Sequence, residues 1–358
     1  MLIVGNLKIT FHVLKCRMAS IFSGEHLVSN YREGFIDIAK GISIILMTIT
    51  HLQFVKKYSF IESFNYDYLI LFKMPMFIII SGYLFNTKKR LNNFTFSKFD
   101  SLIKPATSVL VIFFLILLIP YILGLTSFPN PMKILGLFTP LWFVFSLFLS
   151  LVLFRFIFYV FETYKIKTAF FIIISLLIVL ASLNEFDVRY SIFNLSTIIY
   201  FLIYLSIGYI IKKFNFFRYI IDYKSTLMLV ILFSTIIITK DLFNIKIRML
   251  SNAYDPFIFA LIYSLCGAIM VISISNHMVK YNIIQSFLQK CGECSFFILA
   301  FHSIIGNLFF NKILNYFNID NILVDFFVFL LVIYMCVLLR DIFYSIKYTR
   351  LLFFPKPK

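Results

Sequence analysis

Three ionisable residues lie within one apolar stretch near the start of the sequence. Residues 33 to 54 read EGFIDIAKGISIILMTITHLQF, which is long enough for a membrane-spanning helix, and they include Asp37, Lys40 and His51. In a continuous helix, Lys40 and His51 would share nearly the same azimuth about 16 Å apart, and Asp37 would lie on that face too. Ionisable groups at bilayer depth cost roughly 2.5 to 3.5 kcal/mol each, so they usually face a protein interior or a wet cavity. The stretch is therefore predicted to form one wall of a site within the membrane.

The chemistry that these side chains permit is proton transfer and anion binding. His51 suits a general base, because imidazole titrates near neutrality. Lys40 is too far from His51 to act on it by contact, but its ammonium group can neutralise a phosphate or pair with Asp37, three residues earlier. Asp37 would lie about 21 Å from His51 along a continuous helix, so a direct dyad is excluded. Asp37 is therefore predicted to orient Lys40.

The composition is that of an integral membrane protein. Hydrophobic residues make up 61% of the chain, charged residues 14%, and the mean hydropathy is +0.95. The net charge of +17 is spread over short segments between apolar runs, so it predicts membrane topology and no nucleic-acid partner. The Cys291 and Cys294 pair has no second pair beside it, and no metal site is predicted.

Apolar runs of spanning length predict an all-α, polytopic membrane protein with about ten transmembrane helices. An even number of spans places both termini on one side, and the excess of Lys and Arg in the segments on that side predicts that both termini are cytoplasmic. The predicted spans are approximately residues 35–54, 68–85, 102–123, 138–161, 168–183, 195–211, 225–239, 256–275, 294–310 and 322–339.

One membrane domain, residues 35–340, is predicted between two short segments. Residues 1–34 lack the pattern of a signal peptide and are predicted to be a cytoplasmic segment, with Met18 as an alternative start. Residues 341–358 form a basic cytoplasmic tail. No loop is long enough for a folded domain, so the function is expected within the helices and their short connections.

A basic cluster, Lys88, Lys89 and Arg90, follows the second predicted span. The positive-inside rule alone explains many such loops. The alternative is a phosphate-binding patch at the mouth of a cavity.

Three further residues are candidates for binding a substrate. Lys73 lies in the outer part of the second predicted span, where it could meet an anionic group. Trp142, the only tryptophan, begins the fourth span, and His302 lies about two turns into the ninth. An interfacial anchor and a structural hydrogen-bonding residue are the alternatives for Trp142 and His302 respectively.

Four motifs together resemble the membrane acyltransferase-3 family, over roughly residues 33 to 340. They are FIDIAKG at residues 35–41 with a Lys-x10-His spacing to His51, FKMPMF and SGY at residues 72–77 and 81–83, LWF at residues 141–143, and the Ser295 to His302 segment. Within the family, the resemblance is closest to sugar O-acetyltransferases of the fucose O-acetylase type. Lys73 departs from the pattern, since many members have histidine there, and no appended hydrolase-like domain is predicted.

The resemblance implies transfer of an acetyl group from cytoplasmic acetyl-CoA to a hydroxyl of a cell-surface or lipid-linked sugar, such as an O-antigen or capsule glycan, at a bacterial inner membrane. The family pattern makes Lys40 the essential basic residue and His51 the essential histidine. With them, the basic cluster is assigned to the CoA phosphates, and Lys73, Trp142 and His302 to the acceptor.

Two questions stay open at the level of the sequence. His51 can act as a general base, or it can take the acetyl group itself and relay it. A transporter or flippase of a lipid-linked saccharide would also place charged residues inside a bundle, but it predicts internal repeats or paired broken helices, which the sequence does not show.

Overall fold

Apolar helices dominate the part of the chain that the computed structural model describes. The described residues are 34–53, 70–122, 141–164, 174, 177–178, 197–220, 222–239, 246–248 and 253–356. Residues 1–33 of the predicted N-terminal segment, most of the predicted span 168–183 and the end of the tail lie outside these ranges.

The described elements are nearly all helices. In chain order they are α1 (Gly34–Ile49), α2 (Ile70–Tyr83), α3 (Leu91–Lys98), the π-helix π1 (Phe99–Ile103), α4 (Lys104–Ile122), α5 (Leu141–Tyr164), α6 (Thr197–Lys213), α7 (Phe217–Ile220), α8 (Tyr223–Thr239), β1 (Lys246–Arg248), β2 (Ala253–Asp255), α9 (Phe257–Met278), α10 (Asn282–Glu293), α11 (Ser295–Ser303), the π-helix π2 (Ile304–Phe310), α12 (Asn311–Tyr316), α13 (Ile322–Ser345) and α14 (Lys347–Phe353). The β1–β2 pair is antiparallel, with Lys246 opposite Asp255, and is a small exception to the all-α prediction.

Four helical segments in the described residues are long and apolar enough to cross a bilayer. They are Leu141–Tyr164, Phe257–Met278, Ser295–Tyr316 and Ile322–Ser345. Phe72–Tyr83 and Tyr223–Thr239 are shorter apolar helices. The helical, membrane-integral character predicted from composition is confirmed, while the total of ten spans and the side of the termini stay predictions.

Helix α1 lies among several helices, and it contacts α2, α9, α10 and α11. Its approach to α10 is at backbone distance, because a Cβ on Gly41 would collide with the carbonyl oxygen of Leu288, and a Cβ on Gly292 with that of Asp37. Small residues allow such close helix packing in membranes. The two glycines thus hold the first half of α1 firmly against α10.

The helix predicted over residues 35–54 ends earlier, at Ile49. Thr50 and His51 form a turn, in which the N–H of His51 donates to the carbonyl of Thr48 at 3.0 Å. The Thr50 hydroxyl donates to the carbonyl of Met47 at 2.8 Å, a local bond that competes with continuation of the helix. His51 therefore lies just beyond α1, and the shared azimuth calculated for a continuous helix does not extend to it.

Candidate functional site

Two histidines from distant parts of the sequence meet beyond the end of α1. The His51 side chain is exposed, whereas His302, in the last turn of α11, is fully buried. Their ring centroids are 5.6 Å apart, with an angle of 53° between the ring planes. Packing of α1 against α11 brings the rings together.

The His302 ring is anchored through one nitrogen. Nδ1 lies 2.7 Å from the carbonyl oxygen of Ile298 and 3.1 Å from that of Leu299. A carbonyl oxygen can only accept, so Nδ1 carries the proton and donates it to these oxygens. Nε2 of His302 is buried and has no hydrogen-bond partner among the described residues.

Lys73 joins the same group of side chains. It is 6% exposed, and its ammonium donates a short hydrogen bond to the hydroxyl of Thr50, the residue before His51. The Ser43 hydroxyl donates to the backbone carbonyl of Lys73 at 2.5 Å, which ties the start of α2 to α1. Thr50, His51, Lys73 and His302 are called the histidine cluster below.

Two asparagines fix the turn that carries His51. The Asn307 amide donates to the carbonyl of His51 at 2.9 Å, and its oxygen accepts from the N–H of Gln53 at 2.9 Å. The Asn311 amide donates to the Gln53 side chain at 3.0 Å. Asn307 lies in π2, directly after His302, and π-helical segments are frequent at functional sites. The backbone of His51 is therefore held by the segment that follows its partner histidine.

A second polar group lies at the opposite end of α1. Lys40 and Asp37 form the predicted ion pair, with Nζ and Oδ1 3.6 Å apart. Nearby helices add a second set, in which Asp341 of α13 pairs with Arg340 at 2.8 Å and with Lys290 of α10 at 3.5 Å. These five residues are called the charged end.

The charged end and the histidine cluster are well separated. Ile49 follows Lys40 by nine positions on the helix, which is about 14 Å along the axis. The site predicted from the first stretch is therefore two polar regions joined by one apolar helix. The structure brings Asp37 and Lys40 together at one end, and His51, Lys73 and His302 at the other.

The basic cluster lies at the far end of α2 from Lys73. Lys88 and Arg90 are exposed, and Lys89 is half-buried. The backbone of this loop is held by Arg155 of α5, whose Nε donates to the carbonyl of Lys89 at 3.0 Å. Arg155 also pairs with Glu162 at 3.2 Å, so it points into the protein as expected for a charged residue within a span.

The ring of Trp142 contacts other aromatic rings. It begins α5 and is half-buried, with its ring 6.1 Å from that of Phe143 and 6.3 Å from that of Phe201 on α6. The described contacts of its ring are therefore with aromatic neighbours.

Sequence patterns did not single out Thr50, Asn307 or Asp325. Asp325 is a carboxylate only 2% exposed in the first turn of α13. An acidic residue in an apolar run is the same signal that drew attention to Asp37, so Asp325 could have been found. Thr50 and Asn307 carry no such signal, because single polar residues are common near helix ends.

Comparison with known proteins adds one finding. A family model described as an acyltransferase domain, acyltransferase 3, matches residues 33–341. The matched range contains every residue of the histidine cluster and of the charged end. No curated protein and no solved structure matches the chain significantly.

Proposed function

Because this chain belongs to the acyltransferase-3 family of membrane acyltransferases, we propose that it transfers an acetyl group from acetyl-CoA to a hydroxyl of a cell-surface or lipid-linked sugar. The observation that carries the site assignment is the exposed imidazole of His51 against the buried imidazole of His302. Family membership favours an enzyme over a saccharide transporter. The proposed location is the bacterial inner membrane.

His51 is proposed as the residue that acts on the reacting groups. A sugar hydroxyl is a weak nucleophile near neutral pH, so a base must remove its proton as its oxygen attacks the thioester carbonyl. His51 takes that proton, the carbon–sulfur bond breaks, and the proton then passes to the departing CoA thiolate. In the relay variant, a His51 nitrogen first bonds to the acetyl carbon while the carbon–sulfur bond breaks, and the CoA thiolate takes the ring proton of His51. The sugar oxygen then displaces this nitrogen from the acetyl carbon, and the hydroxyl proton returns to the His51 ring.

The charged end is proposed to bind the nucleotide of the donor. Lys40 is 16% exposed, and a lysine ammonium has three N–H donors, so it can bind a phosphate as well as Asp37. Lys88, Lys89 and Arg90 would add positive charge for the same phosphates. The phosphates of acetyl-CoA are far from its thioester, and the distance of about 14 Å along α1 between the two polar regions suits such an elongated donor.

The acceptor is proposed to approach the exposed side of His51. Lys73 and Trp142 remain candidates for acceptor binding. The burial of Lys73 and its bond to Thr50 favour a role beside the histidines over contact with a distant part of the glycan.

Replacement of His51 tests the proposal. We expect His51→Ala to lower acetyl transfer by about 10² to 10⁴-fold, the range for loss of a general base. The measurement is acetyl incorporation into surface glycan by mass spectrometry in a host that lacks the activity, together with CoA release from acetyl-CoA by the purified protein.

His277→Ala is the matched control, since His277 bonds to Thr226 at 2.9 Å in the α8–α9 pair and lies outside the cluster. Its activity should stay near that of the wild type. Full activity in a well-folded His51→Ala protein would contradict the role of His51. Movement of a lipid-linked sugar across vesicles without acetyl transfer would favour the transporter.

A further inference from the structure

The geometry points to His302 as a positioning residue for His51, in which Nε2 of His302 accepts a hydrogen bond from the ring N–H of His51. This inference rests on the proposed acyl transfer. It assigns His302 to the reaction through His51 and removes it from the acceptor-binding residues.

The first step of the argument is the tautomer of His302. Its Nδ1 donates to the carbonyl oxygens of Ile298 and Leu299, at 2.7 and 3.1 Å. In the neutral ring, the second nitrogen then holds a lone pair and can only accept. The backbone of α11 therefore presents Nε2 of His302 as a hydrogen-bond acceptor.

The second step is that this acceptor lacks a hydrogen bond among the described residues. Nε2 of His302 is completely buried. An unsatisfied buried polar atom costs roughly 1 to 3 kcal/mol, and such atoms in native proteins call for an explanation. The ring of His51 is 5.6 Å away between centroids. Catalytic hydrogen bonds are often long without substrate and tighten when it binds.

The third step is what the hydrogen bond does. The backbone of His51 is held by Asn307, but the orientation of the imidazole needs a contact to the ring itself. A bond from one ring N–H to Nε2 of His302 leaves the lone pair on the other nitrogen of His51, directed to the exposed side. A third group that orients the base in this way is a general feature of activated nucleophiles and bases.

The proton balance is simple in this arrangement. The free nitrogen of His51 takes the proton of the acceptor hydroxyl, and the resulting imidazolium is stabilised by the bond to His302. The proton then passes from His51 to the CoA thiolate as the carbon–sulfur bond breaks. His302 ends each cycle in its starting tautomer. In the relay variant, the same bond selects which nitrogen of His51 attacks the thioester.

Two substitutions of His302 distinguish a positioning role from a purely structural role. In His302→Gln, the amide oxygen can reach the place of Nε2 and accept from His51. In His302→Asn, the shorter amide can still donate to the carbonyl of Ile298, as Nδ1 of His302 does. It offers no acceptor in the place of Nε2. A purely structural His302 predicts that asparagine is the better replacement, whereas positioning predicts that glutamine is.

We expect His302→Asn to lower kcat by about 10²-fold with an unchanged KM for acetyl-CoA, and His302→Gln to retain most of kcat. The pH–rate profile of His302→Asn should also shift, because His51 is no longer held in one tautomer. Equal activity of the two variants, or higher activity of the asparagine variant, would overturn the inference. Melting temperature and gel filtration check that both proteins are folded.

A measurement without turnover separates this inference from the proposed function. In protein labelled with ¹⁵N-histidine in lipid nanodiscs, His51→Ala identifies the ring signals of His51. We expect those signals to move in His302→Asn and to stay near wild type in His302→Gln. Unmoved signals in the His302→Asn variant would overturn the positioning role, whatever the activity. Absence of acetyl transfer by the wild-type protein would overturn the proposed function alone.

Discussion

The polar groups at the two ends of α1 have different kinds of partner. At the charged end, cations pair with carboxylates, as in the pairs of Lys40 with Asp37 and of Arg340 with Asp341. In the histidine cluster, the described hydrogen bonds go to neutral groups, namely the Thr50 hydroxyl and the carbonyls of α11.

That difference bears on what each end can do. A cation that pairs with a carboxylate in the free protein can pair with a ligand phosphate instead, because its charge is neutralised both with and without the ligand. An imidazole anchored by a neutral carbonyl keeps its other nitrogen for proton transfer. We therefore expect changes at the charged end to act on donor binding and changes at the histidine cluster to act on the chemical step.

The largest effect should come from breaking the contact that holds α1 in place. Gly292→Val puts side-chain atoms where the carbonyl of Asp37 lies, so α1 and α10 must separate and both ends are displaced. Overpacking of this kind typically destabilises by about 1 to 3 kcal/mol, which is about 5- to 150-fold in the ratio of folded to unfolded protein. The yield of monodisperse protein and its melting temperature measure the change.

Ile283→Val is the control for that variant, because Ile283 is on the same helix and is 86% exposed. It should leave yield and melting temperature unchanged. A Gly292→Val protein with the wild-type melting temperature would show that α1 and α10 do not depend on backbone contact at this position.

A smaller effect is expected from Lys40→Met. Loss of one charge-assisted contact to a phosphate should raise the KM for acetyl-CoA about tenfold and change kcat much less. Steady-state kinetics at two ionic strengths give both constants, and the salt dependence of KM should weaken in the variant.

Lys312→Met, an exposed lysine of α12, is the matched control and should keep the wild-type KM. If Lys40→Met instead lowered kcat as strongly as His51→Ala, with KM unchanged, the contrast between the two ends of α1 would be wrong.

The smallest effect concerns the ion pair of Asp100 in π1 with Lys104 at the start of α4, beside the tail. Asp100 accepts from Lys104 at 2.5 Å and from the N–H of Lys356 at 2.7 Å. Burial alone would raise the pKa of Asp100, but these two bonds outweigh it and leave the pKa below its usual value. The carboxylate then stabilises the fold above its unfolded pKa of about 3.9, and this contribution is lost as the pH falls through the lower folded pKa.

Asp100→Asn should therefore lower the melting temperature by about 2 °C at pH 7, and the difference should shrink below pH 4. Scanning calorimetry of both proteins between pH 3 and pH 7 gives the result, with the pH range set about the unfolded pKa. Lys104→Met should weaken the same pH dependence. A difference that grew towards low pH would contradict the assignment, since it has the opposite sign.

The ion pair of Asp37 and Lys40 was predictable because it is local. A spacing of three residues on a helix places two side chains on one face whatever surrounds them. The site at the other end of α1 was predictable only in part. His51 was identified by type, yet its backbone lies in a turn that depends on Thr50 and on Asn307, more than 250 residues further along the chain.

The sequence by itself determined a helical membrane protein, its family motifs and the types of residue available for chemistry. These features depend on composition and short spacings, which survive any arrangement of the helices. Only the tertiary structure decided that His302 meets His51, that Lys73 bonds to Thr50, and that one nitrogen of His302 is left as an acceptor. The physical reason is helix packing. The approach of α1, α2 and α11 depends on contacts between residues distant in sequence, and the hydrophobic periodicity of each helix does not indicate those contacts.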